Sequence, residues 1–291
     1  MAAGVVELFS DNPMKHALLL CGLLISRPLL AVEISVGATR LSIPAPSGYL
    51  LVTSEMLPYA ELAKRFVPPS NEQFALFLPE ADGAAAARGE IPDPERWFYV
   101  QTSKALIRPF VSTGEFAQLK QAVKGKNEEI LKKVESQLPG LLEKVNKGIS
   151  SDYKIDLNLS IEQILPLPPH YETERSLAYS TLLKYKGTDG EGKSSVSEGV
   201  VTATFVHLQG KVLFLYVNAE RSAIDWCRSE SRKWADTVIA ANPSTEEIAT
   251  HERRPAGPGF NWNSVLGRAV AGAVIGGVLG TVGYVFRKRR G

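Results

Sequence analysis

Cysteine is nearly absent: Cys21 and Cys227 are the two thiols in 291 residues. Cys21 lies in a leading segment read below as removed. One thiol is then left, and no internal disulfide can staple the fold. Histidine is as scarce, and His16, His170, His207 and His251 each lack a second ligand at metal spacing. No Gly-x-Ser-x-Gly elbow occurs, and no catalytic triad can be read from spacing alone. Neither a metal nor a cofactor is expected on these grounds. Charge of one sign is also lacking. The net charge is +2, yet Arg268, Arg287, Lys288, Arg289 and Arg290 alone supply five positive charges. The rest of the chain is therefore mildly acidic, which excludes a basic nucleic-acid-binding face over the whole domain. With 44% hydrophobic and 22% charged residues, the chain is neither disordered nor a multi-spanning membrane protein. It has enough apolar material for a sizeable core.

The two ends set the expected location. Met14-Lys15-His16 precedes the apolar run Ala17 to Ile25. A basic start and a run of about 14 Å as a helix is too short to span a bilayer and reads as a secretory signal. Cleavage is placed after Ala31, making 1–31 the signal. Met14 is the candidate true start, because Glu7 and Asp11 do not suit a basic leading region. Cys21 follows Leu18-Leu19-Leu20, where a lipoprotein signal would need small residues. At the other end, Ala269 to Phe286 carries no charge and covers about 27 Å as a helix, near the thickness of a bilayer core. It reads as a transmembrane helix within 265–286, followed by a basic tail, 287–291. The positive-inside rule places that tail in the cytoplasm. The domain, 32–245, then lies outside, joined by a Pro- and Gly-punctuated linker, 246–264. The layout implies a single-pass protein of a bacterial inner membrane with its domain in the periplasm. Gly272, Gly276 and Gly280 repeat every four residues, with Ala273 and Gly277 on a neighbouring face. Such stripes suit helix–helix packing, hence self-association through the span.

Between the ends the pattern alternates strand and helix signals. Ile34–Val36, Leu41–Ile43, Tyr49–Thr53, Phe74–Leu78 and Trp97–Thr102 read as strands, and Pro58–Val67 as a short helix with Tyr59, Leu62, Ala63 and Phe66 on one side. The stretch 81–94 reads as a loop. The longest helical stretch runs from Glu115 to Lys147, capped by Ser112 or Thr113, weakened at Gly125 and broken or kinked at Pro139. Ile155, Leu157, Leu159 and Ile161 alternate as a strand does. Ser176–Lys186, Ser195–Leu208 and Lys211–Asn218 read as three strands, the last two joined by a Gln209-Gly210 hairpin turn. Val212 to Val217 is apolar on both faces, as a central strand is. A helix from Ser222 to Ala241 closes the domain, with Ile224, Cys227, Trp234, Val238 and Ala241 on one face. Strand runs interrupted by helices predict α+β, a mostly antiparallel sheet covered by helices.

An Ile-Pro-x-Pro-x-Gly-Tyr opening (Ile43 to Tyr49), a long middle helix, a meander ending in Val212-Leu213-Phe214-Leu215-Tyr216 and a closing amphipathic helix resemble the PsbP-like fold. That family includes a lumenal photosystem subunit and many secreted bacterial proteins. The resemblance spans most of 40–241, although the stretch around 115–165 is longer than the family needs. It implies a non-catalytic binding or assembly role and carries over no functional residue. An uncharacterised family of membrane-anchored bacterial secreted proteins is the nearer likeness.

Gly187 to Ser194 fits the phosphate-binding pattern G-x-x-x-x-G-K-[ST]. A strand pattern follows where that loop needs a helix N-terminus, and Asp189 and Glu191 repel phosphate. The match reads as a hairpin loop. His207 is expected near a sheet edge, His170 exposed and Cys227 buried. Asn158-Leu159-Ser160 is a glycosylation sequon. Trp97 and Trp234 read as core. Trp226 flanked by Asp225 and Arg228 is the candidate interaction patch. The expected function is a membrane-tethered, non-catalytic interaction or assembly protein of the cell envelope. A small-ligand or lipid-binding module is the alternative, and a hydrolase with a dispersed site the third.

Overall fold

The computed structural model of the protein describes residues 31–125, 127–153, 157–189 and 191–244. The expected signal (1–31, but for Ala31), linker (246–264), transmembrane helix (265–286) with its packing residues, and basic tail (287–291) lie outside the described residues. Among the described residues no helix is long and apolar enough to cross a membrane.

The chain opens with a hairpin, β1 (Ala31–Val36) and β2 (Thr39–Pro44), which stays apart from the main sheet. The main sheet holds β3 (Tyr49–Leu51), β4 (Asn71–Pro79), β5 (Trp97–Ser103), β6 (Leu157–Pro166), β7 (Tyr171–Glu172), β8 (Ser176–Asp189), β9 (Ser194–Leu208) and β10 (Lys211–Glu220). Its order is β3-β4-β5-β10-β9-β8-β6, with β7 added on β8, and the pairings are antiparallel. β10 sits in the middle, as its two apolar faces require. Val212, Phe214 and Tyr216 enter one core, while Leu213, Leu215 and Val217 enter the other. The β9–β10 turn places both Gln209 (φ 47°) and Gly210 (φ 76°) in the left-handed region that a two-residue hairpin of primed type needs.

Helices cover both faces. On one side lie α1 (Tyr59–Arg65), α2 (Glu80–Ala87), α3 (Lys104–Ile107), α4 (Thr113–Gly125) and α5 (Asn127–Tyr153). They bury Leu62, Phe116, Leu119, Val134, Leu138 and Leu142 against the sheet. On the other side, α6 (Ile224–Ala241) and the β1–β2 hairpin share a second core with Cys227, Trp234, Ala235 and Val238. Asn242 fastens the hairpin there. Its Oδ1 accepts from Ser42 N (2.9 Å) and its Nδ2 donates to Ser42 O (2.7 Å).

Several expectations need correction. The stretch 81–94 contains α2. Glu80 and Asp82 suit a helix N-terminus, and Ala84 to Ala87 have high helix propensity. The small faces of Gly83 and Ala86 let α2 pack close to the sheet, so no apolar stripe betrays it. The long helical stretch is described as α4 and α5, on either side of residue 126, which lies outside the described residues. Ser112 starts the first with a capping box: Ser112 N donates to Glu115 Oε2 (2.7 Å), and Glu115 N donates to Ser112 Oγ (3.3 Å). Pro139 lies inside α5 without ending it, on an exposed position where the freed carbonyl can meet water. The strand from Tyr49 stops at Leu51, and Ala241 is exposed rather than on the buried face of α6.

Candidate functional site

The three residues of the sequence-based patch meet different surroundings. Trp226 and Arg228 are two residues apart on α6, about 200° around a helix, and diverge. Trp226 leans toward β5, edge-on to Phe98 (5.9 Å) and beneath the Arg96 guanidinium (4.3 Å). Arg228 turns toward β8, where its Nε donates to Ser180 Oγ (3.4 Å). Asp225 stays exposed. Trp97 and Trp234 are buried core residues. The phosphate-loop pattern spans the β8–β9 hairpin, with Thr188 opposite Ser194 and a strand following it. Among the described residues no helix terminus stands behind it.

His207 corrects a further expectation. β9 runs between β8 and β10, so His207 is interior, stacked on Phe116 (5.2 Å) and bonded through Nε2 to Val111 O (2.7 Å). It links β9 to the segment that starts α4. Cys227 is fully buried, and burial pushes its thiol up to about 12, leaving it neutral. Among the described residues no group of three His, Cys, Asp or Glu side chains could hold a metal ion.

His170 is not exposed either. It is half-buried, and both ring nitrogens are shut from solvent without a hydrogen-bond partner among the described residues. Burial, and then the Arg228 charge, depress it from 6.5 to about 4. The unfolded chain therefore binds a proton that the folded chain does not between those values. This contribution to stability is fully present above pH 6.5 and is lost as pH falls toward 4. His170→Gln is expected to flatten the fall of the urea midpoint across that window. An unchanged slope in the variant would remove His170 as the cause.

Two concavities lie on the five-helix face. The larger, about 1010 Å3, is an open groove between α5 and β6. β6 is an edge strand, paired with β8 on one side. The groove runs along seven successive residues of it, Asn158 to Ile164, and along the α5 stripe Glu135, Leu138, Leu142, Asn146 and Ser150. Asn146 marks where the backbone edge is already engaged: Leu159 N donates to its Oδ1, and its Nδ2 donates to Leu159 O, both at 3.1 Å. The amide thus makes at that residue the pair of bonds that an added strand would make. The same Nδ2 reaches Asn158 Oδ1 (3.1 Å), the asparagine of the sequon. The lining carries Glu135, Glu143 and Glu162 against Lys147 alone, so it is acidic.

The smaller concavity, about 60 Å3, lies beneath α1 against β4 and β5. Phe66, Leu76, Ile91, Trp97 and Tyr99 give it apolar walls, and the Gln73 and Gln101 amides supply polar groups. Burial, followed by the charges of Asp82 and Asp93, pushes the Tyr59 phenol in its wall well above the ordinary range, so it stays neutral.

Neither concavity was legible in the sequence. The alternation of 155–161 shows a strand, but its edge position follows from the order of the whole sheet. Gln73 and Gln101 lie 28 residues apart and meet because β4 pairs with β5.

No protein-family model matches the chain, and no curated protein matches it by sequence. Among solved structures the chain is similar to cyanobacterial PsbP from Synechocystis, at 11% identity and a TM-score of 0.26, over 74% of this chain and 92% of that one. It is also similar to a point mutant of the protein Mog1, at 8% identity and a TM-score of 0.27, over 75% of this chain and 98% of that one. The Ran-binding protein Mog1p of Saccharomyces cerevisiae is a further likeness, at 10% identity and a TM-score of 0.22, over 73% and 90% of the two chains. Overlaps this slight carry no inference about what the chain binds.

Proposed function

We propose that the chain is a membrane-tethered, non-catalytic interaction module of the bacterial cell envelope. Its extracytoplasmic domain holds an extended segment of a partner protein in the α5–β6 groove. The observation that carries this is an edge strand lying open beside a helix, with its outward backbone groups at Leu159 held by a side chain, Asn146. Strand addition uses such edges, because main-chain bonds supply affinity and flanking pockets supply selectivity. The acidic lining favours a segment carrying Lys or Arg among apolar residues. The tether is the uncharged run within 265–286, and its glycine stripes support self-association in the membrane. The pocket beneath α1 favours a second reading, a small-ligand module, developed below.

A photo-crosslinking residue placed at Ser160 or Glu143 of the full chain in membranes tests the groove, with Lys233 on α6 as control. The same partner should be captured at both groove positions and not at Lys233. Reversing Glu135 and Glu143 to Lys should lower its capture about fivefold, the equivalent of ~1 kcal/mol for exposed charges. Equal capture at Lys233, or none in the groove, would overturn the assignment.

A further inference from the structure

We infer that the pocket beneath α1 binds a small neutral molecule, a compact apolar group bearing a carbonyl oxygen. The lining has no charged side chain. A carboxylate or ammonium entering it would lose its hydration with no counter-charge to replace it. The negative charges of Asp82 and Asp93, felt by Tyr59, further disfavour an anion. What remains polar is organised. Ser70 Oγ donates to Asn71 Oδ1 (3.2 Å), Asn71 Nδ2 to Gln101 Oε1 (2.9 Å), and Gln101 Nε2 to Gln73 Oε1 (3.2 Å). Each amide in this line is fixed by the one before it, and bonds in series polarise one another. Asn71 and Gln101 are buried, at 2% and 1% exposure, so the middle of the line is rigid. It ends at Gln73, which lines the pocket and whose Nε2 group is the donor left over at the end of the line. The complement of that donor is an acceptor oxygen.

Size limits the guest. A cavity of about 150 Å3 encloses benzene. The pocket, at about 60 Å3, encloses a branched alkyl end or the edge of a ring, with the remainder in its mouth. Trp97, Tyr99, Pro92 and Pro94 line the space, which suits a flat or compact alicyclic group. This site is separate from the α5–β6 groove and stands whether or not the groove holds a partner.

The test uses the full chain in detergent, labelled with 15N in glutamine side chains, and three probes of one shape: cyclopentanone, cyclopentanol and cyclopentylammonium. Cyclopentanone should shift the Gln73 amide signals saturably, with a midpoint in the millimolar range open to so few atoms. Cyclopentanol should bind more weakly, and cyclopentylammonium should leave the signals in place. Gln73→Glu keeps the acceptor of Gln101 Nε2 and removes the donor; cyclopentanone, now read at the Gln101 amide, should bind about fivefold to tenfold more weakly. Ala63→Leu fills the pocket and should abolish the shift. A cation that binds the unaltered chain as well as the ketone overturns the proposal, as does a shift that persists in Ala63→Leu, an unchanged midpoint in Gln73→Glu, or no saturable shift at all.

Discussion

Trp234→Ala is expected to destabilise the domain by about 3–5 kcal/mol, the range for emptying a large aromatic site in a core. Trp234 is 4% exposed and meets three separate parts of the fold. Its ring stands edge-on to Phe77 (5.9 Å) on β4 and to Phe98 (5.2 Å) on β5. Its Nε1 donates to Pro44 O (2.9 Å) at the end of β2. The β1–β2 hairpin has no ladder to the main sheet, so contacts of this kind, with the Asn242–Ser42 pair, are what dock it. Trp234→Phe keeps most of the packing and strands the Pro44 carbonyl, and should cost about 1–3 kcal/mol. Urea midpoints of the three proteins measure both steps. A loss below about 1 kcal/mol in Trp234→Ala would show that the hairpin is held elsewhere.

The contrast between legible and illegible parts has a physical basis. β9, β10 and their turn are written in local residues: alternating or doubly apolar runs, and a Gln209-Gly210 pair able to take left-handed backbone. Helix α6 shows its stripe because Cys227, Trp234 and Val238 face one core. α2 has no stripe to show, since Gly83 and Ala86 are buried by closeness rather than by bulk. Of the break or kink that Pro139 predicts, the break does not occur, because its position is exposed and the freed carbonyl can meet water. The placement of the candidate residues shows a related effect. Trp226 and Arg228 are neighbours in the chain and part on the helix, whereas Asn146 and Leu159 are separated in the chain and meet across α5 and β6. His207 seemed peripheral because it stands one residue before the end of its strand. It is interior because two further strands flank β9.

Gly210→Ala tests the most constrained turn, and a loss of about 3 kcal/mol or more is expected. Two costs combine. At φ 76° an L side chain is strained, by roughly 1–2 kcal/mol. A methyl group there would also overlap the Phe110 ring, which lies directly against the glycine. The backbone cannot yield freely, because Val111 N donates to Gly210 O (2.8 Å) and ties the turn to the segment before α4. The next residue, Lys211, is 5% exposed, and its Nζ donates to Ile107 O, Arg108 O and Pro109 O at 2.9–3.1 Å. Moving the turn therefore loosens the carbonyls at the end of α3 as well. Gly192 separates the two costs, since it has φ 79° with nothing within 4 Å of the added carbon. Gly192→Ala should lose only the backbone part, about 1–2 kcal/mol. Pairing Gly210→Ala with Phe110→Ala should restore part of the difference, because the overlap is gone while the strain remains. Equal losses for Gly210→Ala and Gly192→Ala would show that the Phe110 ring gives way, and that the turn is held by its own dihedral angles alone.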